Sequence, residues 1–191
     1  MLGHLCNFFL RLGHWKAVGS FPPSLKKAVV IIAPHTSGRD MIICLAFRKA
    51  LHLERFKFIG KKELFRPPFG FLFRWVGGIP ADRSISTNLV TQVVHCFEVN
   101  PEFIIALSPE GTRKKVDRLR TGFYHIAKKA AVPIVMIGLD YGKKQLEFAA
   151  PFYAGNDEKT DLGHVLSFFG LMKGRHPEMG LEHLLNEQLE E

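Results

Sequence analysis

Lys27-Ala-Val-Val-Ile-Ile-Ala33 runs directly into Pro34-His35-Thr36-Ser37-Gly38-Arg39-Asp40, and the fold is read outward from this stretch. The first seven residues are a short apolar, β-branched run ended by proline, the pattern of a strand buried on both faces. Asp40 to Leu51 then takes up helical periodicity. A strand, a short polar loop and a helix in succession place that loop at the carboxyl end of a sheet, where α/β proteins bind ligands.

The alternation continues along the chain. Phe56–Ile59 predicts a strand, and Lys61–Val76 a helical segment restarted at Pro67-Pro68. Gly77–Ala81 returns to extended structure, Ser84–Val99 reads as a helix, Phe103–Ser108 as a strand and Thr121–Ala130 as a helix. Val132–Asp140, a Gly142-Lys143-Lys144 turn and Gln145–Ala149 form a predicted strand pair. The expected class is α/β, a mostly parallel sheet covered by helices. Three regions are expected: residues 1–24 as an amphipathic helix and linker, 25–155 as the main α/β domain, and 156–191 as a helical tail packed on it.

A chain of 191 residues and 21.6 kDa suits one domain with a core of its own. Charge is unevenly spread. Residues 1–154 hold 23 basic and 10 acidic groups, and the remaining 37 residues hold 3 and 8. A basic body with an acidic tail suggests an anionic partner: nucleic acid, a membrane surface or a phosphorylated substrate. Cys6, Cys44 and Cys96 are scattered, which argues against a disulfide framework or a tetrathiolate zinc site and for a reducing compartment. Cys44 lies in an apolar run and reads as core. No stretch has the ~18 uncharged apolar residues of a membrane span, and the N-terminus lacks the basic start and cleavage site of a secretory signal.

Leu2, Leu5, Phe8, Phe9, Leu12 and Trp15 recur at three- and four-residue spacing, largely apart from His4, Asn7, Arg11 and His14. Such a helix can lie in a bilayer interface or pack its apolar side on the domain. From Lys49 to Arg66, basic residues are interleaved with Leu51, Leu53, Phe56, Phe65 and, just beyond, Phe69, a segment suited either to anionic headgroups or to a solvated face.

Three segments can carry chemistry. His35 and Asp40 are five residues apart and meet only if His35 lies in the loop and Asp40 near the helix start. A carboxylate on one imidazole nitrogen makes the other a better base. Nine histidines and six aspartates give roughly 0.3 such spacings by chance, so the pair alone is a weak signal. Ser108-Pro-Glu110-Gly111-Thr112-Arg113 follows an apolar strand; glycine admits a ligand to the backbone and Thr112 and Arg113 can hold phosphate. Gly77-Gly-Ile-Pro-Ala-Asp-Arg83-Ser84 offers an arginine fork suited to a phosphate ester.

In this order, and followed by Val132-Pro133-Ile134, the three motifs resemble those of the lysophosphatidic acid (1-acylglycerol-3-phosphate) acyltransferase family, over about residues 27–155, with weaker similarity in the tail around Asp161 to Pro177. The resemblance implies a glycerolipid acyltransferase-like fold, His35 as general base and Asp40 as its orienting carboxylate. It implies acceptor phosphate contact by Arg83, acceptor binding by Glu110, Gly111, Thr112 and Arg113, and a last block around Pro133 linked to the acyl side. Pro34, Ser108 and Met136 depart from the residues common in the family. No metal and no bound cofactor is implied. The co-substrate would be acyl-CoA or acyl-ACP, the partners a lysophospholipid acceptor, an acyl carrier protein and a membrane surface, without nucleic acid. The implied location is peripheral, on the cytoplasmic side of the membrane. The rival readings are a lyso-aminolipid acceptor, a thioesterase, which lacks a Gly-x-Ser-x-Gly elbow here, and a basic nucleic-acid-binding module.

Overall fold

A computed structural model describes residues 2–81 and 86–190. In chain order the elements are α1 (Leu2–Leu12), β1 (Lys16–Val18), β2 (Lys27–Ala33), α2 (Arg39–Ala50), β3 (Phe56–Lys61), α3 (Gly70–Trp75), β4 (Gly78–Ala81), α4 (Ser86–Val99), β5 (Phe103–Leu107), α5 (Gly122–Ala130), β6 (Ile134–Asp140), β7 (Gln145–Phe148), α6 (Glu158–Phe169) and α7 (Glu182–Glu190). The strands form one sheet in the order β1-β7-β6-β2-β5-β3-β4. Five strands, β6 to β4 in that order, run parallel; β7 is antiparallel to β6 and β1 parallel to β7. The molecule is therefore an α/β protein with a mostly parallel sheet, as its sequence pattern predicts.

Period-two alternation divides the central strands between two cores. Val29, Ile31 and Ala33 of β2 face one side with Ile105 of β5 and Ile134 and Met136 of β6. Ala28 and Val30 face the other with Ile104, Val135 and Ile137. Helices α4, α5, α6 and α7 cover the first face through Val93, Phe97, Phe123, Tyr124, Phe169 and Leu184. Helices α1 and α2 cover the second through Leu10, Ile43, Ala46 and Phe47. The tail is thus built into the first core, and two of its acidic groups have local work. Asp157 accepts the Lys159 N–H at the start of α6, and Asp161 accepts the Gly155 N–H.

Three local readings differ from the structure. The three residues of β1 are exposed and carry no apolar run; their strand exists only because β7 offers an edge to pair with. The helical segment expected over Lys61–Val76 does break at Pro67-Pro68, which supply no amide donors, but Lys61 belongs to β3, the first part is only a 3-10 turn at Lys62–Phe65, and α3 has six residues. Part of the basic stretch after Lys49 is spent internally: Lys49 pairs with Glu54 at 2.7 Å, and the Arg55 guanidinium lies over the Phe21 ring.

Helix α1 docks on α2 by an unexpected face. Gly3, Cys6 and Leu10 turn toward the domain, and a Cβ at Gly3 would stand 3.4 Å from the Lys49 carbonyl. Leu2, Leu5, Phe8, Phe9 and Leu12 fill an adjacent arc of about 120° and are exposed, from 48% to 70%. Trp15, which the spacing joins to this stripe, lies past the helix and is buried. Leu10→Ala is expected to lower unfolding free energy by about 2–4 kcal/mol, and Phe8→Ala or Leu12→Ala by no more than about 0.5; denaturant unfolding of the three variants checks this division of the helix.

Candidate active site

The chain leaves β2 through Pro34 and reaches α2 at Arg39, so His35, Thr36 and Ser37 must turn above the carboxyl end of the sheet. Asp40, in the first turn of α2, closes this loop on itself. Its Oδ2 accepts the Thr36 N–H at 2.9 Å and the Ser37 N–H at 2.8 Å, and stands 3.0 Å from His35 Nδ1. Oδ1 accepts the Tyr141 hydroxyl at 2.7 Å. Gly38 has an ordinary right-handed backbone; what it provides is space, since a Cβ there would stand 3.1 Å from an Arg113 guanidinium nitrogen.

Asp40 is 2% exposed. Burial alone would raise its pKa, but the hydrogen bonds from His35, Tyr141 and Ser37 outweigh burial and hold it below the ordinary carboxylate value. An ionised carboxylate takes a proton donor from Nδ1, which leaves the lone pair on Nε2. Nε2 has no hydrogen-bond partner among the described residues, and the His35 side chain is 29% exposed. A fixed imidazole with its free nitrogen open to the surface can accept a proton from a bound hydroxyl.

Glu110 arrives from the neighbouring strand, beyond the end of β5. Its two oxygens accept the His35 N–H at 2.7 and 3.0 Å, and one also accepts the Ser108 hydroxyl at 3.1 Å. It is almost fully buried, and burial pushes its carboxyl up to about 7 against the opposing pull of those two donors. Gly111 follows at a φ of +66°, a left-handed turn packed against the Arg120 side chain. Thr112 is half-buried and accepts the Lys114 N–H, while Arg113 is exposed beside Gly38.

The acyltransferase family model matches residues 17–140, about two thirds of the sequence. The chain belongs to the acyltransferase family. It is an enzyme of the glycerolipid acyltransferase type, and the lysophosphatidic acid acyltransferases are the members its motifs resemble. No curated protein and no solved structure matches the chain significantly.

Within this acyltransferase the structure brings His35, Asp40, Glu110, Gly111, Thr112 and Arg113 to one edge of the sheet. Pro133 stands apart, at the opposite end of β6, where its carbonyl accepts the Val29 N–H. Strand register sets it five residues below the level of Ala33, roughly 17 Å away along the sheet. Arg83 lies outside the described residues. Tyr141 was not legible as a site residue. The one signal is its place just after a strand read as ending at Asp140, since its partner lies 101 residues earlier.

A second contribution comes from beyond the matched region. The segment from Lys173 to His176 lies against the His35 loop: Lys173 accepts the Tyr141 N–H at 2.8 Å, and the Thr36 hydroxyl accepts the His176 N–H at 3.2 Å. A Cβ at Gly174 would stand 2.6 Å from the Thr36 methyl, so glycine sets how closely the segment approaches.

The raised value at Glu110 has a consequence for stability. Between pH 4.5 and about 7 the folded state holds a proton there that the unfolded chain releases, so this group's contribution to stability falls as pH rises. Glu110→Gln removes the titration. Thermal melts of both proteins from pH 5 to pH 8 are expected to show the variant gaining on the wild type as pH increases.

Proposed function

We propose that the enzyme transfers a fatty acyl group from an acyl thioester, carried by coenzyme A or acyl carrier protein, to the hydroxyl of a lysophospholipid such as 1-acylglycerol-3-phosphate. The observation that carries this reading is the imidazole of His35, held by a buried carboxylate with Nε2 open, at the edge of a sheet whose sequence motifs follow the family order.

In this mechanism Nε2 takes the proton of the acceptor hydroxyl as its oxygen attacks the thioester carbonyl. The tetrahedral centre collapses with cleavage of the carbon–sulfur bond, and the departing thiolate takes the proton back from the imidazolium. The products are an ester and a free thiol, with no acyl group on the protein. Asp40 stabilises the imidazolium that forms between the two steps. Arg113, exposed beside Gly38, and Arg83 hold the acceptor phosphate; Gly111 and Thr112 shape the loop that presents Arg113. Glu110 acts from below by fixing the His35 peptide, and Pro133 anchors the start of a central strand.

Incubation with labelled acyl thioesters and a panel of lysolipids, followed by lipid mass analysis, tests the reaction. A new ester on a phosphate-bearing lysolipid is expected, with His35→Ala losing at least 100-fold in rate while retaining its fold. Free fatty acid as the main product would indicate hydrolysis, and acylation confined to an aminolipid would replace the acceptor. An unimpaired His35→Ala enzyme would overturn the mechanism.

The exposed face of α1 supports a reading of peripheral attachment to an anionic membrane. Its Leu and Phe stripe is exposed on one side, and residues 1–53 hold seven Lys or Arg against one acidic group, the buried Asp40. Among the described residues no helix is long and apolar enough to cross a membrane. In flotation assays the protein is expected to bind vesicles containing phosphatidylglycerol, and Phe8→Ser/Phe9→Ser to reduce that binding about ten-fold or more; equal flotation of the two proteins would contradict the assignment.

A further inference from the structure

Asp40 divides its bonds unequally. Oδ2 receives three donors, from His35 Nδ1 and from the Thr36 and Ser37 amides, while among the described residues Oδ1 receives only the Tyr141 hydroxyl. The terminal torsion of an aspartate is broad and two-fold, so one oxygen's contacts alone fix it poorly. The second oxygen needs a donor that cannot itself drift.

Tyr141 meets that requirement. Its N–H donates to the Lys173 carbonyl at 2.8 Å, and its ring meets Trp15 edge-on with centroids 5.0 Å apart. Trp15 is buried and also stands edge-on to Phe47 of α2. The turn after Tyr141 is tied down by Asp140, whose Oδ1 accepts the Gly142 and Lys143 amides. Tyr141 is therefore held at its ring by Trp15 after α1 and by Lys144 of the turn into β7, and at its backbone by the Lys173–His176 segment. Trp15 and Lys173 come from distant parts of the chain, and only one bond, through the hydroxyl, reaches the His35–Asp40 pair.

We propose that Tyr141 is a positioning residue for acyl transfer: by holding Oδ1 it sets the plane of the Asp40 carboxylate and, through it, the orientation of the His35 imidazole. This rests on the reading of His35 as general base. The hydroxyl is a donor in this arrangement, because burial and the adjacent carboxylate both oppose its ionisation. The other groups facing it are the neutral thiol of Cys44 on α2, Arg175 on the Lys173–His176 segment, and Lys144, whose ammonium lies 5.7 Å from the ring centroid. Glu110 faces the His35 peptide from β5's end.

Tyr141→Phe removes one oxygen and leaves the ring contacts intact. With the thioester and acceptor identified for the wild type, kcat is expected to fall about ten-fold, as for loss of one hydrogen bond to a charged group, with both KM values within about two-fold. Asp40, relieved of a donor, presents more negative charge to the imidazole, so the acid limb of the kcat/KM–pH profile moves to higher pH. Tyr141→3-fluorotyrosine, a stronger donor on the same ring, moves that limb to lower pH. Unchanged kcat and an unmoved limb in Tyr141→Phe would overturn the proposal. So would a lower melting temperature with both KM values raised and the limb unmoved, the pattern of a purely structural bond. His35→Ala is run alongside: if it still transfers, the general-base reading fails; if it is inactive while Tyr141→Phe is normal, only the role of Tyr141 fails.

Discussion

The Asp40 carboxylate carries charge in a place where charge is costly. Taking an ion of this size out of water costs several kcal/mol even after relaxation, and the cost is offset only if its lone pairs are filled. Here four donors fill them, from His35, Thr36, Ser37 and Tyr141. Much of the architecture at this end of the sheet can be understood as the means of delivering those donors. The His35 loop must be short enough for its amides to turn inward within five residues of the carboxylate. Helix α2 must begin immediately after it, and β6 must end beside β2 so that the next residue faces Asp40.

The sheet makes this possible by being uniform where it matters. Strands β2, β5 and β6 are parallel, with Ile31 opposite Leu107 and Met136; β5 ends two residues short of the end of β2 and β6 two residues beyond it, all at the same edge of the sheet. The His35 loop leaves β2, Glu110 comes from beyond the end of β5 and Tyr141 from the end of β6. Three side chains far apart in sequence thus meet because β2 and its two neighbours all point their carboxyl ends at one edge, the arrangement by which α/β folds build sites there. Strict alternation along those strands also gives both faces a buried core, which anchors α2 on one side and the tail helices on the other.

Much of this was legible in the residues. Lys27–Ala33 has the bounds in the structure that its apolar run predicts, and the helix after the loop begins within one residue of Asp40. The meeting of His35 with Asp40 was legible because five residues cannot separate two groups far when a loop turns into a helix between them. Tyr141 and the Lys173–His176 segment were not, because nothing local marks a contact closed by packing over a hundred or more residues. The face by which α1 docks was not legible for a related reason. Hydrophobicity identifies the Leu and Phe stripe, but close packing of two helices is decided by small residues, and Gly3 and Cys6 beside Leu10 allow the approach that bulky side chains would prevent. Pro133 shows the converse: its block follows the family order, yet proximity in a motif series says nothing about which end of a strand a residue occupies.

The two buried carboxylates at the site carry the electrostatic logic one step further. Asp40 and Glu110 both lie against the His35 segment, one on its ring and one on its backbone, and the Asp40 charge adds to the burial that opposes ionisation of Glu110. Their environments push them apart. Asp40 has enough donors to stay charged below its ordinary range, while Glu110 has fewer, and burial raises it to about 7. Separation of this kind lets two acids share a small volume in different protonation states. Near neutral pH the imidazole then has one permanently ionised partner, on the side where its positive charge would develop. The second acid is left to hold the peptide, a task that either of its protonation states can perform by accepting the same N–H.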